Sequence, residues 1–215
     1  MMNPKGVTLI ELLVALVIFA MLIGGVYRLF VAQSRAYTVQ DHVVETQQNI
    51  RSSMEVMLRD LRMAGFDSDN TGSQITIVTP ITPGADDLTV DYEYDNLTRY
   101  SVRYWRDANS KELRRQLTTF DPLGAGVASP VDVLLENVEE EDGKEGLHFT
   151  YGVDTNADDL LDGWVEANGV NPGDKVVAVR IRLTSRPQQV IQEAQQMMSP
   201  RTLESAVTLR NQCLR

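Results

Sequence analysis

Hydrophobic positions follow three successive rhythms along the chain. From Val7 to Tyr27 they are nearly continuous: Glu11 is the one ionisable group before the tyrosine, and Arg28 ends the run. At 1.5 Å per residue such a helix is about 31 Å long, roughly the hydrocarbon thickness of a bilayer. Beyond Arg28 the apolar residues Val43, Val44, Ile50, Met54, Met57, Leu58 and Leu61 recur at helical spacing, with Gln, Arg, Glu and Asp between them. Gly65 supplies a stop, and Arg59 and Arg62 suit the negative end of the helix. The pattern predicts one long helix, apolar all round in its first half and amphipathic in its second. Gly24-Gly25 lies inside the first half, either for close packing or as a point where the helix can stretch.

From Gln74 onward the period becomes two. Leu88, Val90, Tyr92 and Tyr94 alternate with Thr89, Asp91, Glu93 and Asp95, Asp95-Asn96 makes a turn, and Tyr100, Val102 and Tyr104 alternate again, which predicts a hairpin. Further strands are expected at Gln74–Thr79, Leu113–Thr119, Val131–Val138, Leu147–Tyr151, Val176–Thr184 and Ala206–Arg210. Pro187 to Met198 carries Val190, Ile191, Ala194 and Met197 at helical spacing, as a short helix or a loop. Short strands with polar outer faces and no long helices between them imply an antiparallel sheet, hence an α+β fold.

Composition narrows the function classes. With 43% hydrophobic and 23% charged residues the chain suits a folded domain with an appendage. The net charge of −10 argues against nucleic acid as a partner, because such binding rests on neutralising phosphates with Lys and Arg. Cys213 is the single cysteine, which excludes an intrachain disulfide and argues against a thiolate metal site. A secretory signal peptide would use Lys5 as its basic start and Ala32-Gln33-Ser34 as a loose cleavage site. Such signals carry 7–15 apolar residues, however, and no acid among them. A plain membrane anchor explains the length, and Lys5, Arg28 and Arg35 give no decisive charge bias across it. It leaves Glu11 unexplained. A carboxylate near membrane depth costs about 2.5–3.5 kcal/mol and asks for a partner.

Gly6-Val7-Thr8-Leu9-Ile10-Glu11-Leu12-Leu13 resembles the class III signal of type IV pilins and type II secretion pseudopilins. The resemblance implies that a prepilin peptidase cuts between Gly6 and Val7, methylates the new amine of Val7, and leaves Glu11 at the fifth mature position. The first mature residue is usually Phe in that family and is Val7 here. Glycine before the cut lets the backbone lie close to the peptidase. The new amine is largely protonated at neutral pH. The resemblance implies that Glu11 of an incoming subunit meets the amine of its neighbour; losing one member of such a buried pair costs roughly 3–5 kcal/mol. Arg59-Asp60-Leu61-Arg62-Met63-Ala64-Gly65-Phe66, Tyr151-Gly152-Val153-Asp154-Thr155-Asn156 and the ending Leu209-Arg210-Asn211 are similar to PilW-type minor pilins, while J-type minor pseudopilins share the stem ending.

Asp154, Asn156, Asp158 and Asp162 occupy positions 1, 3, 5 and 9 of a calcium-like loop, with the Leu160 carbonyl at position 7. Asp159 stands where such loops have Gly, and Val165 where they have Glu. The other reading is an acidic, solvated turn. The run Glu139 to Glu145 reads as a solvated turn. His42 and His148 lack metal-ligand companions in sequence, and Cys213 has no base beside it. No catalytic motif is present, so no enzyme activity is expected.

The sequence thus divides into a leader, 1–6; a transmembrane and filament-core helix, 7–34; an amphipathic second half, 35–66; and a β-rich head, 67–215. The expected partners are prepilin peptidase, other minor and major pilins, an inner-membrane assembly platform and the bilayer before assembly. The N-terminus would be cytoplasmic and the head periplasmic, with the subunit passing from the inner membrane into a pilus or pseudopilus. A J-like pseudopilin, or an anchored domain that never polymerises, are the alternatives.

Overall fold

The computed structural model describes residues 7–68, 72–140, 143, 145–187 and 199–212. Among the described residues one α-helix, α1, runs from Leu9 to Met63, unbroken at Gly24-Gly25. The chain divides into two units at Val43/Val44. In the first unit no described residue is buried, and the apolar side chains from Val7 to Phe30 are exposed. The helix contains a stretch long and apolar enough to cross a membrane.

In the second unit the rest of α1 joins two antiparallel sheets. Sheet A contains β1 (Ile81–Pro83), β2 (Asp87–Asp95), β3 (Thr98–Asp107), β4 (Glu112–Phe120), β5 (Gly126–Ala128) and β6 (Asp132–Leu135). β1 to β4 lie in sequence order, and both β5 and β6 pair with β4. Sheet B contains β7 (Leu147–Asp154), β8 (Gly163–Val165), β9 (Lys175–Ser185) and β10 (Arg201–Thr208), ordered β10-β9-β7-β8. The α+β reading with an antiparallel head therefore holds.

The helix buries the polar residues Thr46, Ser53 and Asp60, while Val44 of the expected stripe is exposed and Val43 and Leu58 are half-buried. Ile50, Met54, Met57 and Leu61 are buried at the predicted 3.6-residue period. These residues share a core with Leu88, Val90, Val102, Tyr104 and Leu113 from sheet A, and with Leu147, Phe149, Tyr151, Ile181 and Leu183 from sheet B. Main-chain bonds join the sheets, as where the Phe149 N–H reaches the Ala85 carbonyl at 3.1 Å.

The β2–β3 hairpin turns after Asp95 as expected, and its carboxylate accepts the Leu97 N–H at 2.9 Å. The segment Gln74–Thr79 is not a strand. Ile75 and Ile77 alternate inward with period two, but their N–H groups go to the Ser73 hydroxyl and the Asp67 carboxylate rather than to a ladder. The last strand starts at Arg201 and ends at Thr208, with Arg210–Gln212 in a 3-10 turn instead. The short strands β1, β5 and β8 are not among those the sequence predicts; three residues are too few to show a period. The segment expected as a short helix, from Pro187 to Met198, lies almost wholly outside the described residues, as do Gly6 and Cys213.

Candidate functional site

Helix α1 begins with a capping box. Thr8 precedes the first helical residue; its N–H and hydroxyl donate to the Glu11 carboxylate at 3.0 and 2.9 Å, and its hydroxyl oxygen accepts the Glu11 N–H at 3.4 Å. The reciprocal arrangement satisfies two donors left over at a helix start. It also places the acid at the positive end of the helix dipole. Glu11 is thus met inside its own chain, by a residue that the sequence reading passed over although Thr-x-x-Glu is a recognisable signal. Val7 is exposed at this end, directly before Thr8.

A second constellation lies where α1 meets sheet A. Asp60, only 3% exposed, accepts the Tyr104 hydroxyl at 2.6 Å and the Arg115 guanidinium at 3.1 Å from Nε and 2.9 Å from Nη2. Arg115 Nε also donates to the Tyr104 oxygen at 3.2 Å, and Arg115 Nη1 lies 3.9 Å from Asp132. Arg59 Nε approaches the other Asp60 oxygen at 3.6 Å. Burial and the Asp60 charge push the Tyr104 hydroxyl far above its ordinary value, so it stays a hydrogen-bond donor. Tyr92, beside the same group, is pushed up to about 12 by burial and then by Asp60. Nothing local in the sequence announces this set, because its members stand 44 and 55 residues apart.

Further polar contacts hold the helix end. Ser53 donates to the Leu134 carbonyl at 2.8 Å, and the Asn211 amide reaches the carbonyls of Arg62, Met63 and Ala64 at 3.3–3.4 Å. Gly65 turns the chain at φ +69° and donates its N–H to the Asp91 carbonyl at 2.9 Å.

The acidic loop brings its predicted residues together but uses their oxygens internally. The Asp154 carboxylate accepts the N–H groups of Asn156, Ala157, Asp158 and Asp159 at 2.7–3.4 Å. Burial alone would raise its pKa; these four donors outweigh that and hold it below the usual carboxylate range. Asp162 accepts the hydroxyl and N–H of Thr155 at 2.6 and 2.8 Å, which lower its pKa too. Asp158 takes the Asn156 amide at 3.2 Å, and Asp159 pairs with Lys175 at 2.5 Å. Among the described residues no three His, Cys, Asp or Glu side chains converge as a metal-ligand set. His148 lies between Glu166 at 2.8 Å and Glu145 at 3.6 Å.

Residues 1–27 match the family model described as the prokaryotic N-terminal methylation motif, and residues 107–212 match that of the type IV pilus-assembly protein W. No curated protein and no solved structure matches the chain. The first match contains Thr8 and Glu11; the second contains Arg115 and all of sheet B. With the long N-terminal helix and antiparallel head, the two matches support a type IV pilin, of the PilW-type minor pilins.

Proposed function

We propose that the chain is made as a membrane-inserted precursor, cut between Gly6 and Val7 by prepilin peptidase, N-methylated on Val7, and taken into a type IV pilus through Glu11 to prime its assembly. It acts as a structural subunit and catalyses no reaction. Its partners are other minor and major pilins and the inner-membrane assembly platform. Before assembly the N-terminus is cytoplasmic, the apolar half of α1 spans the bilayer, and the head is periplasmic.

The observation that carries this reading is the state of Glu11. It sits on a helix whose apolar residues up to Phe30 are all exposed, and its carboxylate is met by Thr8 alone among the described side chains. A hydroxyl and one N–H make a carboxylate bearable in an apolar medium but leave its charge uncompensated. A neighbour's protonated amine compensates it, and an incoming subunit gains that pairing only when its helix stands at one height. A buried ion pair used for register is the best-attested role of such pairs.

The test replaces Glu11 by Ala in the full chain. The variant is expected to be cleaved normally, to remain in the membrane, and to be depleted at least tenfold from sheared filaments, since about 1.4 kcal/mol corresponds to a factor of ten. Undiminished incorporation would remove Glu11 from assembly.

A further inference from the structure

We propose that the buried set Asp60–Arg115–Tyr104 is a register key: it selects one docking of the helix on the head sheets from several that the apolar contacts alone would permit.

The apolar stripe of the helix is a poor selector. Its members in the head core are Ile50, Met54, Met57, Leu61 and Ala64, at spacings of three and four. A slide by one turn, about 5.4 Å, moves Met54, Met57, Leu61 and Ala64 into the places of Ile50, Met54, Met57 and Leu61. Two of the five are methionines, whose flexible side chains refill a reshaped groove readily. Such a slide would bring Met57 or Ala64 opposite Arg115 in place of Asp60.

The polar contacts do not tolerate it. Asp60 places one carboxylate oxygen within reach of three donors on two adjacent strands, Tyr104 on β3 and Arg115 on β4. Those two residues are direct cross-strand partners, so the donor pair is a fixed feature of the sheet. Away from this register Asp60 would be a lone charge in the core, and Arg115 would lose its partner, with only the exposed Asp132 at 3.9 Å. Desolvating an ion pair makes it a weak source of net stability, whereas breaking one is costly. That asymmetry penalises wrong registers without adding much to the right one. The key also ties α1 to β3 and β4 of sheet A. It gives the Arg59-Asp60-Leu61-Arg62 sequence a physical task that no pattern of hydrophobic residues performs.

The experiment measures the distance between spin labels at Gln48→Cys on the helix and Asn109→Cys on the β3–β4 turn. Both sites are exposed, and the full chain is used in detergent with Cys213→Ser. With the key intact the distance distribution has one narrow peak. In the shape-matched apolar variant Asp60→Leu/Tyr104→Phe/Arg115→Met a second peak is expected, displaced by about 5 Å, one helical turn, while the thermal midpoint stays at or above that of the parent. Asp60→Asn, which keeps the shape but removes the charge, is expected to broaden the distribution in the same direction. A single unshifted peak in Asp60→Asn would overturn the proposal, whether or not the triple variant folds. So would a triple variant that loses stability yet keeps one peak, because the set would then be a stabilising element only.

Discussion

Gly65 shows how much one residue decides at the end of the helix. Its φ of +69° lies in the left-handed region, and a Cβ there would fall on the Gln212 side chain and within 3.1 Å of Pro80 Cβ. Gln212 can swing aside at its far end, but the backbone strain stays, costing roughly 1–2 kcal/mol for an L side chain. Gly65→Ala is therefore expected to lower the unfolding free energy by about 1–3 kcal/mol, read as a lower urea midpoint at unchanged slope. An unaltered midpoint would show that the turn is not needed to end α1. Gly65 was legible in the sequence as a stop, and so was Glu11 as an acid out of place. Thr8 was equally legible, since a Thr three residues before a Glu at a helix start is the capping pattern. Asp60 stands in the motif that closes the stem, but its pairing is not legible there, because Tyr104 and Arg115 become its neighbours only through the fold.

Among the elements, α1 and the β2–β3 hairpin follow directly from periodicity, because each has a long run and one buried face. Gln74–Thr79 misleads for a physical reason: alternation reports which side is buried, not where the N–H groups go. The loop after β7 admits two readings. Oxygen ligands at calcium-like spacing are also what an Asx-rich turn needs to bind its own backbone donors. Asp154 and Asp162 are spent on those donors and Asp159 on Lys175. The thermal midpoint of the protein is thus expected to stay put when millimolar Ca²⁺ is added, because a ligand stabilises only what it binds. A rise of several degrees would mean that the loop reopens around a cation. Asp154→Ala, which leaves the N–H groups of Asn156, Ala157 and Asp159 without their acceptor, is expected to lower the midpoint with or without calcium.

At the scale of the whole molecule, the buried and hydrogen-bonded titratable groups fix how stability varies with pH. In Glu93, burial is outweighed by hydrogen bonds from Ser73 and Ser68, and its pKa lies below the usual range, as do those of Asp154 and Asp162. A depressed carboxylate stabilises the fold above its unfolded pKa, near 4, and that contribution is lost as pH falls through the folded value. Asp91, raised chiefly by burial, works the other way, but it is one group against five, since hydrogen bonds lower Asp107 and Glu112 as well. The buried tyrosines Tyr92, Tyr104 and Tyr151 are all raised, chiefly by burial, so their contribution is complete below about pH 10 and is lost on going higher. Denaturant midpoints are expected to be flat from about pH 5 to 9 and to fall on both sides. A midpoint that climbs on acidification would contradict this assignment of charges. None of it was legible from the net charge of −10, which says how many acids there are and nothing of which ones the fold holds ionised.

The central claim is that the first helix is cut, methylated and used for assembly. Mass spectrometry of the native protein recovered from sheared filaments tests it most directly. A mature chain that begins at N-methylated Val7 and lacks residues 1–6 is expected. A protein that begins at Met1, or one that begins after Ser34 and has lost Glu11 altogether, would contradict it.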